Sequence, residues 1–462
     1  MHKVTIKGSV IYANDGELLS NVLRKEGIYH EHPCGGKGTC KKCELLINGR
    51  PELSCQYKIN SDIDVMLNEN EEAMTATDNL SDGEAYALAL DLGTTTLALA
   101  LVSSDGNVMA LKTAINPQRG FGADVISLIE YCSTSSYIEP HKAIISKLND
   151  MIGELNIKSP LPLFVAGNTV MLHLFFGIDP SSIGVAPYTP KFLEERNTDG
   201  AQIGLSKVSE VHSLPCISSF VGADIVAGLS VLPTPKKNKY SILIDLGTNA
   251  EIALFSSEGI TCTSAAAGPA FEGANISCGM SAVHGALYSF YLDEQGNKSI
   301  KTVGDGECIG ICGTGLIDVV ANLIQNELID KTGYLENEIY RITNEISITE
   351  NDVRNLSLAK SAICSALLTL MRSEGVSFDM IDTLFISGGF STRINVRNAV
   401  CIGLIPSALA NKCVPISNSS LLGAVSYAVH RQSPSSIVKK ARYTDLAKDN
   451  GFSDLFIKNL SF

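Results

Sequence analysis

The chain has 462 residues, 45% hydrophobic and 18% charged, which is enough apolar sequence to bury more than one core. Its formal net charge of −13, without a long run of Lys or Arg, disfavours nucleic acid or an anionic membrane surface as partner. No apolar stretch approaches the roughly 18 residues of a membrane-spanning helix. The thirteen cysteines are too sparse for a disulfide scaffold, and their number is odd. We therefore expect a cytoplasmic protein whose cysteines are reduced or bound to metal.

The first 66 residues predict a small β-rich domain. Residues 4–6 and 9–12 alternate like two strands of a hairpin, and residues 18–24 have the apolar spacing of a helix. Residues 67–85 are polar and acidic, which is typical of a linker.

Four cysteines of this first domain form a cluster. They are Cys34, Cys40, Cys43 and Cys55, with five, two and eleven residues between them. The three glycines between the first two would let the loop wrap an iron–sulfur cluster and point backbone N–H groups at its sulfurs. The spacing resembles that of a 2Fe-2S ferredoxin, and the hairpin and helix upstream agree with a β-grasp domain. A structural zinc site, which also uses four thiolates, and free thiols are the alternatives.

The other nine cysteines are scattered along the chain. Most are isolated, which is typical of small core residues. Cys278, Cys308 and Cys312 are closer together, and a second metal site there is an open alternative.

An internal repeat organises the rest of the chain. Residues 87–92 and 241–246 are apolar strands that contain Asp91 and Asp245, and each runs into an Asp-Leu-Gly-Thr turn, a second strand, a hairpin turn and a third strand. A period this long does not suit a solenoid. It predicts two related halves that face each other across a cleft.

The chemistry of these turns suits a nucleotide. Glycine lets the backbone approach phosphate oxygens, Thr hydroxyls and successive N–H groups donate to them, and the carboxylate can hold hydrated Mg²⁺. One such turn is weak evidence, because ordinary β-turns share the pattern. Two copies in the same strand–turn–strand setting are much stronger.

These residues resemble the acetate kinase, sugar kinase, Hsp70 and actin ATPases. Residues 220–228 and 421–425 are similar to the two interdomain helices of that superfamily, and residues 383–390 to its adenosine-binding strand and double-glycine turn. The glycine–alanine pair at 423–424 implies that the two helices cross closely. The resemblance implies an α/β and α+β fold, in which a β-grasp 2Fe-2S ferredoxin domain precedes a two-lobed actin-like ATPase domain. The implied divisions are 1–66 (ferredoxin), 67–85 (linker) and 86–462 (ATPase), the last with lobes 86–230 and 231–462.

A ferredoxin joined to such an ATPase resembles the reductive activators of corrinoid proteins. Residues 165–173, 268–274 and 312–318 are similar to that family as well. In better-known members an additional linker domain separates the two modules, whereas only the acidic segment separates them here. The resemblance implies ATP-dependent reduction of a Co(II) corrinoid protein of a methyltransferase system to Co(I).

The resemblance also implies cofactors, partners and site residues. The cofactors are a 2Fe-2S cluster, ATP and Mg²⁺. The partners are the corrinoid protein, an electron donor such as a ferredoxin or flavodoxin, and a second copy in a homodimer. Asp91 and Asp245 would place Mg²⁺. The nucleotide would contact Gly93, Thr94, Thr95, Gly247, Thr248 and Asn249 through its phosphates and Gly388 and Gly389 through its adenosine. Asp224 and Glu272 are candidates to orient the attacking water, with a helix-cap or salt-bridge role as the alternative, and His173 is expected to be a hydrogen-bonded core residue.

Three other functions fit parts of the pattern. A small-molecule kinase would share the fold, but phosphoryl transfer needs no electron. An activator of a radical dehydratase or reductase would also couple ATP to an electron, but it usually holds a 4Fe-4S cluster between two ATPase subunits. A redox-sensing adaptor with a degenerate ATPase disagrees with the intact phosphate turns.

Overall fold

The computed structural model describes residues 1–6, 9–26, 28, 38, 43–66, 84–122, 124–389 and 391–462. Its N-terminal elements are β1 (His2–Ile6), β2 (Ser9–Ala13), β3 (Glu17–Leu18), α1 (Leu19–Lys25), β4 (Glu44–Ile47), β5 (Arg50–Leu53), β6 (Lys58–Ile59) and β7 (Ile63–Met66).

The N-terminal elements build one mixed sheet. Its strand order is β2-β1-β7-β4-β5, with β1 and β7 parallel and the other neighbours antiparallel, while β3 and β6 form a separate pair. Alternate residues of the strands point inward, and with Leu19, Val22 and Leu23 of α1 they form a small core. The hairpin and the helix expected from the sequence are therefore confirmed.

The next part of the chain forms a second sheet with helices. Its elements are β8 (Ala85–Leu92), β9 (Thr96–Ser103), β10 (Val108–Ile115), α2 (Val125–Thr134), α3 (Ile138–Glu154), β11 (Leu161–Gly167), α4 (Thr169–Phe175), β12 (Asn197–Asp199), β13 (Val208–Ser213) and α5 (Ala223–Val231). The strand order is β10-β9-β8-β11-β13-β12, and β8, β11 and β13 run parallel.

The remaining part forms a third sheet and a layer of helices. Its elements are β14 (Tyr240–Leu246), β15 (Ala250–Phe255), β16 (Ile260–Ala265), β17 (Ala286–Leu292), β18 (Lys298–Thr302), β19 (Gly310–Ile311), α6 (Gly313–Gln325), β20 (Ile339–Arg341), β21 (Ser347–Thr349), α7 (Glu350–Ser373), β22 (Ile381–Ser387), α8 (Val396–Cys401), β23 (Cys413–Pro415), α9 (Ser419–His430), α10 (Ser435–Lys440), β24 (Ala441–Tyr443) and α11 (Phe452–Lys458). The six-stranded sheet has the order β23-β22-β14-β15-β16-β24. A separate three-stranded sheet has the order β18-β17-β19.

The two six-stranded sheets repeat one plan. In each, three consecutive strands form an antiparallel meander, β8-β9-β10 and β14-β15-β16, and the first strand of the meander pairs in parallel with a later strand, β11 or β22. The strands are apolar and largely buried, as expected where both faces of a sheet are covered. The internal repeat expected from the sequence is confirmed.

Two helices cross where the sheets meet. Ile225 and Leu229 of α5 pack into a core with β14 and β15 of the third sheet, whereas Leu421 and Ala424 of α9 pack into the core of the second sheet. A Cβ atom on Gly423 would lie 2.2 Å from the carbonyl oxygen of Ala227, so the helices approach at a contact that admits only glycine. Close crossing of these helices was expected from the glycine–alanine pair in α9.

Among the described residues, no helix is both long enough and apolar enough to cross a membrane.

Candidate functional site

The two Asp-Leu-Gly-Thr turns meet in one cleft. All of the predicted nucleotide-site residues line it. The lining residues are Asp91, Gly93, Thr94, Thr95, Thr96, Asn168, Asp224, Asp245, Leu246, Gly247, Thr248, Asn249, Glu251, Glu272, Gly388, Gly389 and Asn418. The sequence therefore predicted the convergence of β8, β14 and the double-glycine turn correctly.

Carboxylates crowd the floor of this cleft. Burial, and then the neighbouring charges of Asp224 and Asp91, raise the pKa of Asp245 to about 8. Burial and the charge of Asp91 likewise raise the pKa of Asp224 to about 6. Glu251, directly opposite Asp245 in the β14–β15 pairing, also has a pKa well above its usual range, because of burial and these neighbours. The cleft therefore holds several carboxyl groups that disfavour one another's ionisation, and a bound cation would favour their ionised forms.

This carboxylate set fits a hydrated Mg²⁺ that binds together with a nucleotide. Within the ranges that the structure describes, no three His, Cys, Asp or Glu side chains converge as a ready-made metal cage. Mg²⁺ does not need one, because it is usually held by one or two carboxylates, several waters and phosphate oxygens.

Asp91 is held by the start of α9. Its Oδ2 accepts a hydrogen bond from Asn418 Nδ2 at 2.6 Å, and its Oδ1 accepts one from Ser420 Oγ at 2.7 Å. Burial raises the pKa of Asp91, and these two hydrogen bonds act in the opposite direction. A carboxylate of the second sheet is thus fixed by residues that lie more than 300 positions later in the chain.

Glu272 joins the two phosphate turns. Its Oε2 accepts hydrogen bonds from Thr95 Oγ1 at 2.7 Å and from Thr248 Oγ1, and its Oε1 accepts one from the Thr248 N–H at 3.2 Å. The two threonine hydroxyls lie 3.5 Å apart. Glu272 therefore uses the donors that a phosphate would use, and its contacts are neither a helix cap nor a salt bridge. Its expected role in orienting water stays a prediction.

Asp224 lies in the first turn of α5. Its Oδ1 accepts a hydrogen bond from the adjacent Ile225 N–H at 2.8 Å, while the residue lines the cleft. Asp224 therefore combines a helix-start contact with a place in the site, and its role toward water also stays a prediction.

The double-glycine turn requires its first glycine. Gly388 has a φ of +122°, and a Cβ atom there would lie 2.3 Å from the carbonyl oxygen of Leu246. Any side chain at this position would collide with the second phosphate turn. The glycine therefore allows the ends of β22 and β14 to lie close together.

Sequence reasoning missed five polar residues of the site. Thr96, Asn168 and Glu251 line the cleft, and Asn418 and Ser420 bind Asp91. Asn418 carries a local signal, because it precedes an apolar helical segment as an N-cap residue does, and its side chain accepts from Leu421 N–H. Its contact with Asp91 has no local signal.

Two of the four clustered cysteines lie in the described residues. The sulfurs of Cys43 and Cys55 are 3.2 Å apart and both side chains are buried. This is too long for a disulfide, which is about 2.05 Å. Burial and the neighbouring Cys55 raise the pKa of the Cys43 thiol to about 11. Gly38, at a φ of +73°, lies beside the side chain of Gln56, and Gln56 Nε2 donates a hydrogen bond to the sulfur of Cys55. Cys34 and Cys40 lie outside the described residues.

The second candidate cysteine cluster and His173 lie in the C-terminal and middle parts of the chain. Cys278, Cys308 and Cys312 do not form a group that could hold a metal, since the described residues contain none. His173 is buried, with Nδ1 donating to the Thr169 carbonyl and Nε2 accepting from the Lys191 N–H. The expectation of a hydrogen-bonded core histidine is confirmed.

Two repeated sheets, two crossing helices and glycine turns around a carboxylate-lined cleft define an ATPase domain of the acetate kinase, sugar kinase, Hsp70 and actin class. A family model described as the C-terminal domain of RACo, the ASKHA domain, matches residues 239–462, and one described as the RACo middle region matches residues 86–234. The chain therefore belongs to the RACo family, the reductive activators of corrinoid proteins.

Three relatives show how far this similarity extends. The chain is 29% identical to the corrinoid activation enzyme RamQ of Eubacterium limosum over 83% of this chain and 71% of the relative. It is 27% identical to the [Co(II) methylated amine-specific corrinoid protein] reductase of Methanosarcina barkeri, over 82% and 77% of the two chains. A solved reductive activator for corrinoid, iron–sulfur protein aligns with 26% identity and a TM-score of 0.76, covering 100% of this chain and 98% of that chain.

Proposed function

We propose that the protein is an ATP-dependent reductive activator that returns an inactive Co(II) corrinoid protein of a methyltransferase system to Co(I). The observation that carries the proposal is the joining of two modules in one chain: an ATPase cleft assembled from both phosphate turns, and an N-terminal sheet with a buried pair of cysteines. The names of the two curated relatives and of the solved activator support a corrinoid client.

The N-terminal residues 1–66 are proposed to be a β-grasp 2Fe-2S ferredoxin domain. The mixed sheet with α1 against one face supports this assignment, as does the closeness of Cys43 and Cys55. With Cys34 and Cys40 they would give the four thiolates that such a cluster needs. The bound cluster would supply one low-potential electron at a time. Residues 67–85 would link this domain to the ATPase lobes 86–230 and 231–462.

A bound metal would account for the burial of two thiols side by side. A thiolate enclosed without a counter-charge is unfavourable, which is the reason for the raised pKa of Cys43. A cationic iron centre relieves that penalty, because metal binding stabilises the deprotonated thiol. Zinc would relieve it too, so metal analysis must distinguish the two.

ATP is needed because reduction of Co(II) is uphill from an ordinary ferredoxin. A gap of about 0.2 V for one electron corresponds to about 5 kcal/mol. Differential binding of nucleotide and client to two states of the cleft can supply energy of this size. Threonine and backbone donors of the two turns would bind the phosphates, and Asp91 and Asp245 would hold Mg²⁺ with its waters.

The proposed partners follow from electron balance. Each Co(II) centre takes up one electron, so the protein must be re-reduced by a one-electron donor such as a ferredoxin or flavodoxin. A homodimer is part of the proposal as well.

The test is reduction of a Co(II) corrinoid protein in the presence of a chemical reductant. Wild-type protein should produce Co(I), followed by its absorption spectrum, only when ATP is added. Cys43→Ser should fail because it cannot carry the electron, and Asp245→Ala should fail because it cannot complete the ATP cycle, although its iron content is normal. Cys132→Ser, which removes a buried thiol of α2 away from both sites, is the matched control and should retain activity.

Two outcomes would contradict the proposal. Equal yields of Co(I) with and without ATP would leave a simple ferredoxin with an unrelated ATPase domain. Transfer of phosphate from ATP to a small molecule, in place of release of free phosphate, would instead identify a kinase.

A further inference from the structure

The first turn of α9 joins the two halves of the nucleotide cleft through three consecutive residues. Asn418 and Ser420 bind Asp91, at the end of β8. Ser419, between them, binds Ser387 at the end of β22, through its N–H at 3.0 Å and its hydroxyl at 2.8 Å. One helical turn therefore contacts the carboxyl ends of strands from both six-stranded sheets.

Both carboxylate oxygens of Asp91 are engaged by neutral donors. Asn418 occupies one and Ser420 the other, and both donors are themselves fixed. The Asn418 Oδ1 caps α9 by accepting from the Leu421 N–H at 2.9 Å, so its amide group is turned toward Asp91. Ser420 is 2% exposed. The Asp91 side chain thus has one defined orientation with one donor on each oxygen.

Because Asn418 and Ser420 fix the orientation of the Asp91 carboxylate, they also fix the directions of its unused lone pairs. A carboxylate has about four acceptor positions, and two of them are used. The free positions are those that waters around Mg²⁺ would occupy, since Mg²⁺ usually keeps several of its waters. No comparable pair of donors among the described contacts engages Asp245, so the two predicted Mg²⁺ carboxylates differ in how firmly they are held.

We propose that Asn418 and Ser420 are positioning residues that orient Asp91 and thereby set how strongly Mg²⁺ increases nucleotide affinity. The proposal rests on the proposed nucleotide site. It adds that the Mg²⁺ affinity of Asp91, in the second sheet, depends on residues at the start of α9, which lie more than 300 positions later in the chain.

The test measures ADP binding by calorimetry, with saturating Mg²⁺ and with EDTA. Asn418→Ser retains a good N-cap residue but is too short to keep the amide donor on Asp91. Ser420→Ala removes the other donor, and Ser420→Thr retains the hydroxyl. The ratio of the two dissociation constants reports the Mg²⁺ effect alone, which a general loss of stability does not change.

We expect Asn418→Ser and Ser420→Ala each to reduce the Mg²⁺ effect on affinity by about tenfold. The double variant should lose more, in the range of roughly 10–100-fold that removal of such orienting partners causes. Affinity in EDTA should stay close to that of the wild type, and Ser420→Thr should restore the Mg²⁺ effect.

Matched controls make the same chemical changes elsewhere. Asn395→Ser alters the N-cap of α8, and Ser361→Ala removes a buried hydroxyl of α7 that donates to the Phe456 carbonyl. Both should keep the wild-type Mg²⁺ effect. A folded double variant with an unchanged Mg²⁺ effect would overturn the positioning role. A wild-type protein that binds no nucleotide under either condition would instead contradict the proposed function.

Discussion

In the nucleotide-free cleft, Glu272 accepts the hydrogen bonds of threonine donors from both phosphate turns. Its replacement by glutamine is predicted to tighten nucleotide binding. Its carboxylate accepts hydrogen bonds from Thr95 and Thr248, one threonine from each phosphate turn. Phosphate oxygens need these same donors. A nucleotide must therefore displace Glu272, and it must also approach a negative charge.

The size of the effect follows from the bonds that change. Hydrogen bonds to a charged acceptor contribute about 1.5–3 kcal/mol, against about 0.5–1.5 kcal/mol for neutral pairs. Glutamine keeps the shape of the side chain but loses the charge and one acceptor oxygen. The bridge should weaken by at least about 1.4 kcal/mol, which corresponds to tenfold in affinity.

The measurement is calorimetric titration with ADP and with a non-hydrolysable ATP analogue. Glu272→Gln should bind both about tenfold more tightly than the wild type, while ATP turnover falls because the predicted water-orienting carboxylate is lost. Glu374→Gln is the control, because its carboxylate binds Thr261 and Arg442 and does not line the cleft. Unchanged or weaker nucleotide binding in a folded Glu272→Gln protein would refute competition between Glu272 and phosphate.

Three further predictions concern charge, packing and metal content. In the nucleotide-free protein, Asp245 retains a proton up to about pH 8, whereas the unfolded chain releases it near pH 3.9, so the free energy of unfolding falls as pH rises between these values. Asp245→Asn should flatten this pH dependence and raise the melting temperature at pH 8. An unchanged pH dependence would contradict the argument that burial raises the pKa of Asp245. Gly423→Ala should force α5 and α9 apart and lower the free energy of unfolding, measured in urea, by about 1–3 kcal/mol. Gly153→Ala, on an open surface of α3, is the control and should leave the free energy of unfolding unchanged or raise it. The purified protein should contain about two irons and two acid-labile sulfides per chain. Cys43→Ser should lose them, and the control Cys132→Ser should retain them. A colourless wild-type protein with stoichiometric zinc would exclude the cluster.

The sequence predicted those parts of the site that are encoded locally. Asp91 and Asp245 each end an apolar strand before a glycine turn, and this pattern sufficed to predict two matching meanders that meet at a cleft. The glycine–alanine pair in α9 likewise predicted a close helix crossing. Such features depend on residues within one turn or one strand, so the local sequence is enough to predict them.

Contacts between distant residues could not be predicted in this way. Nothing near Asn418 indicates that its amide meets Asp91, because the two residues are 327 positions apart. Glu251 resembles any strand residue until the β14–β15 register places it opposite Asp245. The hydrogen bonds of Glu272 to threonines of both turns likewise exist only once the two turns have come together. Its expected role in orienting water stays a prediction.

The packing of α9 into the core of the second sheet has a consequence for how the protein is made. The strands of the first lobe leave the ribosome early, but Leu421 and Ala424 of their core arrive only after the whole third sheet has been synthesised. Until then the face of β8 and β11 that α9 covers stays open to solvent, and apolar strands in that state are prone to aggregation. Completion of the nucleotide site is therefore a late event in the biogenesis of the chain. A fragment that ends before α9 should be a substrate for chaperones and not an independent domain.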